Sequence, residues 1–182
     1  NESLKISGNK SFQLKLDLTT TDTKVSPVID LQRASVLTFD NIIDNQYSGG
    51  NTALTPVADS SSSGGTSASN HLSIPVNLAE AAVGLKVILS ANRPDEADFK
   101  MYFRVATSDE VLSDKAFILA DKEEDLAADN NPNVFRDYQY LIGGTGGTLD
   151  AFTKFQIKIV MTTTNSSRVP TFRDLRVIAL AV

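Results

Sequence analysis

The chain has 182 residues, of which 41% are hydrophobic and 21% are charged, a composition typical of one globular domain with a substantial core. Its net charge of −5 disfavours a surface that follows a nucleic-acid backbone or an anionic membrane. No run approaches the roughly 18 consecutive apolar residues of a membrane helix, and the absence of cysteine excludes a disulfide framework and thiolate metal sites. We therefore expect no nucleic-acid partner and no membrane insertion.

The N-terminal part of the chain contains two predicted strands. Residues 11–19 alternate apolar and polar side chains, as a half-buried strand does, and residues 34–43 predict a second strand. Between them, Pro27 makes residues 25–31 a bulge or an edge segment, because proline has no N–H for a sheet ladder. The apolar side chains of the first strand are Phe12, Leu14, Leu16 and Leu18.

Residues 48–70 differ in composition from the rest of the chain. Four consecutive serines, 60–63, and two glycine pairs provide too little apolar surface to offset the entropy lost on ordering. Loops of about 20 residues are usually either functional or disordered. The sequence therefore predicts a long mobile loop that is exposed at one end of the domain.

A closely spaced series of strands follows this loop. Residues 79–83 predict at most one helical turn, and the acidic, Asn-rich residues 121–133 predict a loop. The predicted strands are 71–76, 85–90, 99–106, 115–120 and 134–142.

The end of the chain predicts two strands joined by a polar turn at residues 163–170. In the first, Phe155, Ile157 and Ile159 alternate with polar residues. The second begins near Arg173, and its final residues, 177–182, are apolar on both faces. A strand with two apolar faces needs cover from a second layer or from another chain.

Taken together, the pattern predicts an all-β fold. Eight or nine short strands with almost no helical periodicity favour an antiparallel β-sandwich of jelly-roll type with long end loops. We expect a single domain over residues 1–182.

No residue pattern points to catalysis. His71 is the one histidine, and no Gly-x-Ser-x-Gly turn accompanies it for a nucleophilic triad. The glycine-rich residues 143–147 lack the lysine and the following helix of a phosphate-binding loop, so they predict backbone freedom at a tight crossover. We expect no enzyme, no catalytic residue and no organic cofactor.

The acidic loop is the candidate site for a hard cation. Calcium takes six to eight oxygen ligands, and closely spaced carboxylates on one loop supply several. The spacing does not match the calcium-loop pattern, however, and acidic runs are commonly a solvated face. Both interpretations stay open, and the candidate ligands are Asp121, Glu123, Asp125 and Asp129.

A second candidate site lies on the predicted strand over residues 99–106. Alternation with Phe99 and Met101 places Tyr102 and Arg104 on the outward face. Flat aromatic rings on a sheet face stack sugars or partner side chains. Tyr102 and Arg104 are therefore candidate glycan contacts, whereas Tyr138 and Tyr140 predict core packing.

The chain resembles a β-domain found in virion structural proteins of contractile-tailed phages of marine bacteria, cyanophage-type myoviruses in particular. The resemblance is strongest over residues 77–182, and residues 25–31 (VSPVIDL) also fit its pattern. It rests on residues 78–87 (LAEAAVGLKV), 90–94 (SANRP), 99–104 (FKMYFR), 129–132 (DNNP), 135–138 (FRDY), 143–152, 155–160 (FQIKIV) and 169–176 (VPTFRDLR).

The resemblance implies a non-enzymatic module of a larger virion protein, associated with the tail or baseplate and assembled in several copies. Its expected partners are other virion chains, including further copies of itself. The alternative function is a host-surface carbohydrate-binding module of a phage tail. It rests on Tyr102 and Arg104 as candidate glycan contacts and on a loose resemblance to carbohydrate-binding sandwiches by analogy of fold.

Overall fold

The computed structural model describes residues 15–30, 41, 43–45, 59–144, 149–165 and 167–181. The chain divides into two units, residues 1–40 and 41–182, and each is described by itself. The prediction of a single domain over residues 1–182 stays a prediction.

The described part of the first unit, residues 15–30, is exposed and has no strand, and the N–H of Val25 donates to the carbonyl oxygen of Asp22 in a turn. The predicted strand over residues 11–19 is therefore wrong for its described part, where Leu16 is 51% exposed and Leu18 is 55% exposed. Alternation alone does not hold a strand, because an extended segment also needs a neighbour for its hydrogen bonds. Residues 11–14 lie outside the described residues, as does nearly all of the strand predicted over 34–43.

The second unit is a mainly antiparallel β-structure that curls into a half-barrel. Strands take 47% of all described residues, against 2% for helix. The all-β prediction is confirmed. The helical turn predicted over residues 79–83 is wrong, because these residues belong to a long strand. The strands are β1 (Asp44–Asn45), β2 (Asn70–Leu72), β3 (Val76–Asn92), β4 (Ala97–Ala106), β5 (Ile118–Leu119), β6 (Arg136–Ile142), β7 (Phe152–Thr163) and β8 (Thr171–Ala181), with one 3₁₀ turn at Leu112–Asp114.

Strand β3 connects two parts of the sheet. Near its start it pairs with β7, and the register shifts between Asn77 and Ala82. From Leu85 to Ala91 it pairs with β6 on one edge and with β8 on the other. Strand β7 pairs along its length with β4, whose outer edge carries β5. The strand order along the main path is therefore β5-β4-β7-β3-β6.

The larger of the two hydrophobic clusters among the described residues is the core that the curled sheet encloses. Strands β3 and β6 contribute alternate side chains, as the period of two requires, and β4 and β7 contribute those that face them. The ring of Phe99 packs edge-on against Tyr138 and Phe172, with centroids 4.9 and 5.2 Å away. The buried members include Leu85, Val87, Leu89, Met101, Phe103, Tyr138, Tyr140, Ile157 and Ile159.

The glycine-rich crossover after β6 begins with two residues of positive φ. Gly143 has φ +91°, and a Cβ there would lie 2.8 Å from the carbonyl oxygen of Val83. Backbone freedom and close approach both require glycine at this position. Residues 145–148 lie outside the described residues.

Tyr138 and Tyr140 both lie in the core, as predicted, but their hydroxyls differ. The Tyr138 hydroxyl accepts a hydrogen bond of 3.4 Å from Nε of Arg93. The Tyr140 hydroxyl is buried with no hydrogen-bond partner among the described residues. Burial raises the pKa of Tyr140 far above its ordinary range, so the hydroxyl stays neutral.

Tyr140→Phe is expected to raise the free energy of unfolding by about 1 kcal/mol, because it removes a buried polar atom that has lost its water without gaining a partner. Tyr138→Phe is the matched control, and it should lower stability because Arg93 then loses an acceptor. Chemical denaturation of both variants tests the difference. Equal destabilisation by the two changes would contradict this account.

A covered polar face on strands β4 and β7

The outward face of β4 and β7 is covered rather than exposed. Tyr102 is 3% exposed and Arg104 is 6% exposed, so the prediction that both stand on a solvent-facing surface is wrong. They are buried because residues 59–67, which we call the strap, and residues 112–120 pass over this side of the sheet and bond to it. Strand alternation separates two faces but does not say which of them other parts of the chain cover.

The register of β4 and β7 sets out the polar groups of this covered face. Tyr102 lies opposite Lys158, and Arg104 lies opposite Gln156. Directly opposite residues on one face of an antiparallel pair have Cβ atoms roughly 5 Å apart, which is within reach of a hydrogen bond between long side chains. The sheet therefore brings two cations, an amide and a phenol together under the strap.

Arg104 bonds to both covering segments through one guanidinium. Its Nε and Nη2 donate to Oε1 of Gln156 at 2.9 and 2.6 Å. Its Nη1 donates to the carbonyl oxygens of Ser62, Ser113 and Lys115 at 3.0, 3.1 and 3.3 Å. Burial lowers the pKa of Arg104. The rigid fork of arginine suits this task, because its donors point in fixed and different directions.

Lys158 is fully buried and binds the strap through its ammonium group. It donates to the carbonyl oxygens of Asp59 and Gly64, the latter at 3.1 Å. The carboxylate of Asp59 lies 3.3 Å away, and its side chain is 1% exposed. The same carboxylate accepts from the Thr66 N–H and the Ser67 hydroxyl, both at 2.8 Å. The buried ion pair is thus hydrogen-bonded on both sides, as burial of charge requires.

The ring of Phe117 lies close to both cations. The guanidinium carbon of Arg104 is 4.4 Å from the ring centroid, and Nζ of Lys158 is 4.3 Å from it. Both distances are within the range of cation–π attraction, which is stronger where water is excluded. Phe117 packs with Tyr102 and Val160 in a second, smaller hydrophobic cluster, and its N–H donates to the carbonyl oxygen of Ser60 at 2.8 Å.

The polar groups of this face hold the covering segments against the sheet. Its charged groups bind backbone carbonyls, each other and an aromatic ring, and its polar groups are buried. The loop predicted to be mobile over residues 48–70 is held in place in its described part, 59–70, while residues 48–58 lie outside the described residues. Sequence reasoning missed Asp59, Phe117 and Lys158. The sequence did contain one signal that this face is buried. Val160 lies next to Lys158 on the same face of β7, and it is apolar where the other residues suggest a solvent-exposed face.

Gly65→Ala is expected to destabilise the protein by about 2–3 kcal/mol. Gly65 has φ +84°, and an added Cβ would lie 1.4 Å from Oδ1 of Asp59. That carboxylate is held by the Thr66 N–H, the Ser67 hydroxyl and Lys158. Gly64→Ala is the matched control. Gly64 also has positive φ, at +104°, but nothing lies within 4 Å of the added Cβ, so only backbone strain of about 1 kcal/mol is expected there.

Thermal or chemical unfolding of the two alanine variants measures the difference. If Gly65→Ala and Gly64→Ala lose the same stability, then the carboxylate of Asp59 is not fixed where the structure places it.

Asp59 is also expected to make stability depend on pH. Desolvation raises the pKa of its carboxyl, but the hydrogen bonds from Ser67 and Thr66 and the charge of Lys158 outweigh that effect, and the net pKa lies below 3.8. Ionised Asp59 therefore stabilises the fold at pH values above 3.8, and this stabilisation is lost as the pH falls through the lowered pKa. The gap in unfolding free energy between wild type and Asp59→Asn should narrow over that acid range. A gap that stays constant would contradict the assignment.

The acidic loop does not gather its carboxylates around one point. Asp125 pairs with Lys122 at 2.8 Å, and Asp129 pairs with Arg136 at 3.2 Å. Glu123 pairs with Lys86, while Asp121 is exposed. Among the residues that the structure describes, no group of three His, Cys, Asp or Glu side chains is placed to hold a metal ion. Calcium binding at Asp121, Glu123, Asp125 and Asp129 stays a prediction.

A shallow cavity of about 130 Å³ lies at the outer side of β6. Its lining residues are Glu123, Glu124, Leu126, Asp137 and Gln139.

His71 is exposed in β2, opposite Ile159. Among the described residues, no helix is long and apolar enough to cross a membrane.

Comparison of the chain with known proteins finds no matching family model, no matching curated protein and no matching solved structure.

Proposed function

We propose that the chain is a non-enzymatic structural module of a phage virion, associated with the tail or baseplate, and that it mediates protein–protein assembly. The phage context comes from the sequence resemblance. Assembly is what the geometry supports best, through one observation: among the described residues, no strand pairs with the outer edge of β8. The finer proposal for the fold is a β-sandwich block of jelly-roll type.

The edge of β8 supports the proposal because it offers unpaired backbone groups beside an apolar side chain. Among the described residues β8 pairs with β3 and with no other strand. Ile178, near its middle, is 52% exposed. A long sheet edge left open is a template for pairing with another chain, so natural proteins usually protect it or use it.

The covered face supports the same proposal in a different way. Arg104 and Lys158 fasten two loop segments to one sheet, so the surface that these segments present to a neighbour is fixed before assembly. A rigid surface loses less conformational entropy when it binds. We propose that the end loops over residues 48–70 and 121–133 contact neighbouring virion chains.

The glycan-binding alternative loses the residues on which it rested. Tyr102 and Arg104 lie beneath the strap and bond to it or to the residues beside it, so neither offers a face on which a sugar could stack. A host-surface glycan as partner would have to use other residues.

Electron microscopy of the concentrated protein, together with a broad glycan array, tests the proposal. We expect ordered assemblies of uniform size and no glycan signal. Monomers at every concentration, or specific binding of one glycan class, would contradict an assembly module.

A further inference from the structure

Strand β8 is the sheet edge that the described chain leaves most open. The outer edge of β4 carries β5 at Tyr102 and Phe103, and the N–H of Ala120 donates to Met101 at 2.9 Å. The outer edge of β6 carries a bridge from Lys122 to Tyr140. The eleven residues of β8 have β3 as their one described partner strand.

The charges along β8 are self-complementary. Arg176 and Asp174 lie on the solvent side, where Nε and Oδ2 are 2.8 Å apart and the side chains are 57% and 48% exposed. Between them, Leu175 faces the core. In an antiparallel pair of identical strands, an axis through Leu175 places each Asp174 opposite the Arg176 of the other copy. Two cross-strand ion pairs then form. Parallel pairing about Leu175 would instead put like charges side by side.

The bulge in β8 keeps the two faces in phase on either side of that axis. Ser90 lies opposite Asp174, and the next residue, Ala91, lies opposite Phe172. Arg173 is therefore an extra residue without a partner position in β3. Its guanidinium carbon lies 4.9 Å from the ring centroid of Phe135. Because the bulge counts as one position in the ladder, Phe172 takes the position that follows Asp174 along the edge. In the antiparallel pair, Phe172 then lies opposite Val177 of the second copy, on the core side.

On the solvent side the same register brings Thr171 beside Ile178 of the second copy. This contact covers the exposed isoleucine near the middle of the edge. The interface needs one surface rather than two, since a two-fold axis makes each copy the partner of the other.

We propose that two copies of this chain associate through β8, which pairs antiparallel with its counterpart about a two-fold axis at Leu175 and joins the two sheets. The inference rests on the proposed assembly function and names its first partner, a second copy.

Charge reversal tests the pairing. Sedimentation of the whole chain should show a concentration-dependent dimer for wild type. Asp174→Arg, which places two arginines opposite each other at both pairs, should raise the dimer dissociation constant about tenfold or more. The double variant Asp174→Arg with Arg176→Asp exchanges the charges and should restore the dimer.

Glu96→Arg is the matched control, because Glu96 is also an acid in a surface ion pair, 3.2 Å from Arg168, and it lies outside β8 and outside both proposed end loops. It should leave the dimer unchanged. Ile178→Lys is a second disruptive variant, and the unfolding midpoint of each protein shows whether its fold is intact.

The outcomes separate the two proposals. An oligomer that persists in Asp174→Arg and in Ile178→Lys would overturn pairing through β8 while assembly through another surface still stands. Failure of the charge exchange to restore a dimer that Asp174→Arg has broken would overturn the axis at Leu175. A monomer in wild type at every concentration would overturn both proposals.

Discussion

Lys158→Met is expected to lower the free energy of unfolding by about 3–5 kcal/mol. The side chains of Lys158 and Asp59 are 0% and 1% exposed, so methionine leaves the carboxylate buried without its counter-ion. It also removes the donor for the carbonyl oxygens of Asp59 and Gly64. Methionine keeps an unbranched side chain only one atom shorter than lysine, so the loss reports mainly on charge and hydrogen bonding rather than on a void.

Lys122→Met is the matched control for this change. Lys122 pairs with Asp125 at 2.8 Å, but that aspartate is 80% exposed, and surface pairs contribute about 0–1 kcal/mol. Urea denaturation of both variants at neutral pH makes the comparison. If Lys158→Met costs no more than Lys122→Met, the strap is not fastened by the buried pair.

Phe117→Ala is expected to cost about 3–5 kcal/mol. Phe117 is 2% exposed, so its truncation leaves a void in the smaller cluster, and two buried cations lose the aromatic ring that both of them contact. Phe117→Leu should recover much of the packing but not the cation–π attraction, which is about 1–2 kcal/mol for a desolvated pair.

The neighbouring Ile118 supplies the control, since it is 53% exposed in β5. Ile118→Ala should change stability by less than about 1 kcal/mol. Hydrogen exchange at residues 59–67 provides a second readout, because loss of Phe117 should speed exchange in the strap and loss of Ile118 should not. Equal protection of the strap in both variants would contradict the role given to Phe117.

The strands that sequence predicted well are those whose alternation is reinforced by a paired neighbour. Strands β4, β6 and β7 follow the predicted ranges closely, because apolar residues recur at every second position and turn residues limit each run. Residues 15–19 show the limit of this reasoning. Leu16 and Leu18 alternate just as well, yet they lie exposed in a segment without a strand.

Burial of the outward face of β4 and β7 could not be predicted from the sequence, for a physical reason. Lys158 and Arg104 alternate with core residues, so periodicity placed them correctly on the face opposite the core. Burial of that face depends largely on the strap, in which Ser62 is 42 positions from Arg104 and Asp59 is 99 positions from Lys158. The strap that covers them is rich in serine and glycine, which predicts mobility. Its order comes from carbonyl groups bonded to buried cations, and backbone carbonyls leave no mark in composition.

The solution mass of the purified chain, measured by light scattering at increasing concentration, tests the assembly proposal most directly. The measurement is made with calcium and again with a chelator. A defined oligomer that the chelator leaves intact is the predicted result, because assembly through strand edges needs no metal. A monomer at every concentration would contradict the assembly function, and dissociation by the chelator would assign assembly to the acidic loop instead of β8.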